Sequence, residues 1–308
     1  MAGKPCDPGF PRPFPVMPTL VQLHLLVVLL AATAIFGALS SLSAAVLVTW
    51  RTALAALGAL AFASLIRRRR IWPGWRSLGA MLGIGAIIGL HWLCFFGAIQ
   101  LANVSICLAG MATISLFTSI SEPLIHRRRF RPFEILLGLL VLLGILLIVG
   151  VEQNHLTGLL VALTGALLAS IFPVLNHLLV RRGGDPQTMV GWEMIGAFLI
   201  CLLLLPLFEP GGHAALLAIP PMDWLWILLL AWLCTVFGHA LHIRLLKTIS
   251  AYQGNLAFNF EPVYGIIAAG FLFGEWHHLH PAFYLGALTI LAANLLHPWL
   301  ERRSRQAA

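Results

Sequence analysis

From residue 22 to residue 300 the chain is a succession of apolar stretches, each close to the length that crosses the hydrocarbon core of a bilayer. A spanning helix takes about 20 mostly apolar residues. Ten stretches qualify: 22–43, 45–66, 77–99, 102–125, 133–151, 156–180, 187–208, 222–246, 249–274 and 281–300. Several links between them are very short, so neighbouring spans must run antiparallel. The longest link on the far side is "EPGGHAALLAIPPMD", residues 209–223, which leaves no room for a soluble domain. The fold class expected is an all-α integral membrane protein with ten transmembrane helices.

Composition agrees. Of 308 residues, 60% are hydrophobic and 10% charged, against about 25% charged in a soluble domain. The formal charge of +8 raises the question of nucleic acid, but that partner needs a basic face in polar surroundings. Here the basic residues punctuate apolar runs instead. They cluster at Lys4 and Arg12, Arg67–Arg70 with Arg76, Arg127–Arg129 with Arg131, Arg181 and Arg182, Arg244 and Lys247, and Arg302, Arg303 and Arg305. These are 18 of the 19 Lys and Arg residues, and they fall at alternate span ends, hence on one side of the membrane. By the positive-inside rule that side is cytoplasmic. The reading is a multi-pass protein of a plasma (bacterial inner) membrane with both termini inside. Residues 1–21 are then a proline-rich cytoplasmic tail, with no signal-peptide cleavage pattern, and 301–308 a basic one. The five cysteines form no CxxC, and four lie within apolar runs, so neither disulfides nor a thiolate metal site is indicated.

Ten spans divide into five and five, 22–151 and 156–300. Because five is odd, the second group enters the membrane reversed, the plan of two five-helix inverted-topology repeats in which a site forms where the halves meet. Placing "RPFEILLGLLVLLGILL" (131–147) over "HPAFYLGALTILAANLL" (280–296) aligns Pro132 with Pro281 and matches leucine positions. Carried back, that register sets Ala112 opposite Glu261, so the acid has no twin in the first half.

On Arg51, on the span-four run "MATISLFTSISEPL" and on "EPVYGIIAAGFLFGE" at the end of span nine, the chain resembles the drug/metabolite transporter superfamily, specifically its ten-span EamA-type permeases. The likeness covers roughly residues 24–300. It includes a mid-helix proline and a terminal Gly274-Glu275, with a departure in the first half, where Ile125-His126 stands in place of Gly-Glu. The resemblance implies alternating-access transport of small metabolites, commonly export of amino acids or related compounds, through EamA-like repeats at 22–151 and 156–300.

The residues able to carry chemistry are few. Glu261 begins the second half of span nine, and an ionisable residue inside a membrane is a functional candidate by default. A carboxyl group out of water favours its protonated form, so it can exchange a proton for substrate as access alternates. Pro262 removes a backbone donor and weakens the helix there. Asn255 and Asn259 share a face, and Glu261 points about 160° away from Asn259 on an ideal helix. His91 and Trp92 lie on span three, and His239 and His242 form an i,i+3 pair on span eight. Glu193 sits about two turns into span seven. Each is read either as a cavity-lining or proton-relay group or as a hydrogen-bonded packing residue. Tyr264 and the neighbouring aromatics can stack on a ligand or merely pack. Arg51 can snorkel to the external headgroups or contact an anion. "GAMLG" (79–83), "GAIIG" (85–89) and "GFLFG" (270–274) carry the GxxxG spacing that lets helices approach closely.

The functional expectation is a secondary transporter, a proton-coupled exporter of small amphipathic metabolites, because no ATP-binding motif is present. The alternatives are an uncoupled facilitator and a metal-dependent intramembrane enzyme using the histidines, though no HExxH or GxSxG spacing supports the latter. The partners implied are a small-molecule substrate, protons and lipid, without nucleic acid, in a monomer or homodimer. No cofactor and no metal is expected.

Overall fold

The computed structural model describes residues 18–66, 68, 71–127, 132–258 and 260–306. These residues are overwhelmingly helical. The helices are α1 (Thr19–Leu39), α2 (Ala44–Ala61), α3 (Trp75–Leu101), α4 (Val104–Met111), α5 (Ile114–His126), α6 (Pro132–Val151), α7 (Leu156–Arg181), α8 (Pro186–Phe208), α9 (Pro221–Leu228), α10 (Ala240–Leu245), α11 (Ala251–Phe258), α12 (Glu261–Phe273) and α13 (Pro281–Gln306). Among the described residues seven helical segments are long and apolar enough to cross a membrane, and Glu261–Phe273 and Pro281–Ala293 are shorter apolar helices.

Polar side chains set the helix starts, where backbone N–H groups lack partners. The Ser43 hydroxyl accepts from Val46 N, the Asn103 amide oxygen from Ile106 N at 2.8 Å, and the Asp185 carboxylate from Thr188 N at 3.1 Å. Pro186, Pro221 and Pro281 each open a helix, a position where the missing donor costs nothing.

Four of the expected spans are not plain helices, span two ending in a π-helical turn, Phe62–Ile66. Span four is broken at Ala112 and Thr113, between α4 and α5. Span nine is broken just before the Glu261-Pro262 pair, since proline opens α12 instead of sitting inside a continuous helix. Span eight winds from α9 into a π-helical stretch, Leu229–His239, before returning to α10. Wide turns of this kind are uncommon and frequently mark functional sites.

Glycine decides one crossing. A Cβ at Gly85 would meet the Glu193 carbonyl at 1.9 Å, and one at Gly196 would meet the Leu82 carbonyl at 2.2 Å, so α3 and α8 touch through their backbones. The expectation for "GAIIG" therefore holds at Gly85 and also at Gly89, whose Cβ would fall 3.0 Å from Ala197 O. It fails for "GAMLG", because Gly79 and Gly83 face open space. It fails for "GFLFG" too: Gly274, at φ +68, ends α12 in the left-handed conformation that glycine adopts without strain.

Candidate functional site

α1, α2, α3, the α4–α5 break, α7, the π-helical stretch with α10 and the α11–α12 break surround a cavity of about 80 Å³. Six of the residues singled out in the sequence meet on its wall: Arg51, His91, Trp92, His239, His242 and Glu261. They come from both halves of the chain and from widely separated positions.

Glu261 is 7% exposed and starts α12. Its place in the first turn follows from the break, which puts the start of a half-helix on the cavity wall. Across the cavity His91 is fixed by a 2.9 Å bond to Gly165 O of α7. A carbonyl only accepts, so Nδ1 carries the hydrogen of that bond.

Glu193 is wholly buried and stands behind the wall, one layer out. Its Oε2 takes the His239 Nε2–H at 2.8 Å and the Asn176 amide at 3.3 Å, while Oε1 has no partner. The His239 ring lies 6.2 Å from that of His242, which packs edge-on to Phe258 at 4.8 Å and leaves its own Nε2 unpartnered. An acid, two imidazoles and the cavity thus form a continuous polar line inside an apolar bundle.

Arg51 corrects one expectation. The side chain is 2% exposed and does not reach an external headgroup. Its guanidinium lies 3.8 Å from the Trp92 ring centroid, a cation–π contact. Nε donates to Thr235 Oγ1 at 2.9 Å, and that hydroxyl in turn donates to Leu230 O five residues back, a bond that only the π-helical winding allows. Nη1 has no partner.

Other expectations land elsewhere. Tyr264 does not line the cavity; it is 39% exposed on the outside of α12. Asn255 belongs to α11, and Asn259 lies outside the described residues. Trp192 bonds Ile71 O at 2.7 Å, away from the cavity. In "EWHHLH", His277, His278 and His280 are exposed, but Glu275 is buried. Its carboxylate accepts from Val104 N at 3.0 Å, from Ser105 N at 2.9 Å and from the Ser105 hydroxyl, capping α4. Among the described residues no three metal-ligating side chains converge.

The model of the EamA-like transporter family matches the chain twice, over residues 18–150 and 156–297. The chain belongs to this family. It is therefore a membrane protein of the drug/metabolite transporter type, with two copies of the EamA unit in one polypeptide. A solved structure described only as "Crystal structure of protein" shares the fold, with a TM-score of 0.64, at 18% identity over 92% of this chain and 98% of that one. No curated protein matches.

Sequence reasoning passed over Phe172 on the wall of the EamA-like cavity, and Thr235 and Asn176 beside it. Thr235, Asn176 and Phe172 each touch a group already singled out. A signal was present for Asn176, an amide three residues beyond Pro173 in the middle of span six. None was present for Thr235, an ordinary residue in "AWLCTVFG" until its helix is wound as a π-helix.

Proposed function

We propose that this EamA-like protein is a secondary active transporter, a proton-coupled exporter of small amphipathic metabolites such as amino acids or related compounds, working by alternating access. The observation that carries the reading is Glu261: a buried carboxyl group at a helix break, on the wall of a cavity to which both EamA units contribute. The protonation of that group and the occupancy of the cavity by substrate are thereby coupled. Alternation between the two faces of the membrane then exchanges one for the other.

The inverted-repeat plan, with ten spans, repeats at 22–151 and 156–300 and both termini cytoplasmic, is part of the same proposal. Several features support it. α6 and α13 open at the prolines that the sequence register aligns, Pro132 and Pro281, 149 residues apart (281 − 132). The breaks before Ile114 and before Glu261 are 147 residues apart (261 − 114), nearly the same spacing. The packing also pairs off: α5 lies on α7 as α12 lies on α1, α2 and the π-helical stretch meet as α8 and α3 do, and α6 packs on α13. Each is the contact that exchanging the halves would generate.

The test is proteoliposomes holding a pH-sensitive dye, offered a panel of amino acids, amines and nucleosides. A substrate-dependent proton flux is expected for at least one class. Substrate movement without any proton flux would favour the uncoupled facilitator.

A further inference from the structure

A buried cation without a counter-ion is costly in a membrane protein, because the charge has lost its water and gained no partner of opposite sign. Arg51 is in that position. Its Nε is anchored by Thr235 and its π-cloud rests on Trp92, with Phe96 at 5.5 Å, yet Nη1 has neither a hydrogen-bond acceptor nor an acid beside it. Among the described residues neither nearby acid neutralises it: Glu193, behind the wall, pairs with His239, and Glu261, on the wall, forms no ion pair with Arg51. The anchoring holds the guanidinium fork in one orientation on the cavity wall, with the unpaired edge left over.

We infer that Arg51 is the carboxylate-binding residue of the cavity, and that the substrate is an organic monocarboxylate whose apolar part lies among Trp92, Phe95, Phe172 and Phe258. The planar fork of arginine matches a carboxylate. One guanidinium balances one negative charge, whereas a phosphate dianion would bring a surplus charge into a space that already holds Glu261. The aromatic wall, together with Leu30, Ile88 and Met111, suits a hydrocarbon or aryl tail, and the lining holds no lysine and no second arginine. An amino acid satisfies the same contact through its carboxylate. The inference rests on the transporter reading for its purpose, but not for its test.

The test is ligand-induced thermal stabilisation of the purified full chain in detergent, at constant sodium chloride so that an inorganic anion is always present as competitor. The probes are phenylacetate and isocaproate, the matched amines phenethylamine and isoamylamine, and phenylalanine and leucine. Carboxylates and amino acids are expected to stabilise the protein, and the amines not. In Arg51→Gln the affinity for the acids falls about tenfold or more, the scale of one lost charged hydrogen bond. Arg51→Lys falls between, and Thr235→Val, which keeps the charge and removes the anchor, weakens binding while elution as a single species is retained. Equal binding of amines and acids, unchanged affinity in a monodisperse Arg51 or Thr235 variant, or stabilisation by none of the six probes overturns the assignment. Selective binding without any flux in proteoliposomes would leave the site standing and remove the transport reading; flux without carboxylate selectivity would do the reverse.

Discussion

Glu193 and His239 show at the scale of single residues how this bundle tolerates charge. The carboxylate is wholly buried and the ring nearly so, and they bond across 2.8 Å, with Asn176 adding a second bond to the same carboxylate oxygen. Breaking one partner of such a pair leaves the other orphaned, whereas replacing both with apolar groups of similar volume can be neutral. Glu193→Leu or His239→Leu alone should therefore destabilise the detergent-solubilised protein by on the order of 3 kcal/mol, and the double variant by much less. Chemical-denaturant or thermal unfolding of the three variants checks this, and additive losses would show that the two side chains do not act as a pair. The individual polar residues were legible in the sequence, because any charged or imidazole side chain in an apolar run stands out. Their partners were not. Asn176 and Thr235 acquire meaning only when α7 and the π-helical stretch bring them against Glu193 and Arg51.

At the scale of elements, the apolar runs and basic clusters made the helices readable, while local winding was hidden. Hydropathy reports how much of a segment is apolar, not whether its hydrogen bonds run to the fourth or fifth residue, so the π-helical Leu229–His239 left no trace. The break before Glu261 was half visible through Pro262; the corresponding break at Ala112 and Thr113 has no proline to announce it. GxxxG spacing was equally ambiguous, since it names a distance along a helix and not the face a neighbour occupies. This yields a paired prediction. Gly196→Leu pushes a side chain into the Leu82 backbone and should separate α3 from α8, with loss of the monodisperse protein on size exclusion. Gly79→Leu meets nothing within 4 Å and replaces the poorer helix former, so stability should hold or rise. The reverse order would contradict the crossing described.

For the whole molecule, buried carboxylates join the two EamA units at one end of the bundle. There Asp223 accepts from Ser40 Oγ at 2.6 Å, from Ser41 N at 2.8 Å and from the Ser41 hydroxyl, joining the start of α9 to the α1–α2 link. Glu275 caps α4 at the same end, and Glu152 accepts from His280 N at 2.7 Å. Two of these carboxylates tie the second EamA unit to the first. On the alternating-access account they latch that face, and Asp223→Asn with Glu275→Gln should raise labelling of Cys234, on the cavity wall, by a membrane-impermeant maleimide applied from that side, with the other cysteines replaced. Unchanged labelling would mean that these contacts do not hold the face shut. The central claim is narrower: that Glu261 is the group exchanging a proton for substrate. It is tested most directly by comparing wild type with Glu261→Gln in dye-loaded proteoliposomes supplied with a transported compound. The account predicts that the substrate-dependent proton flux disappears in the variant while substrate binding persists; an undiminished flux would contradict it.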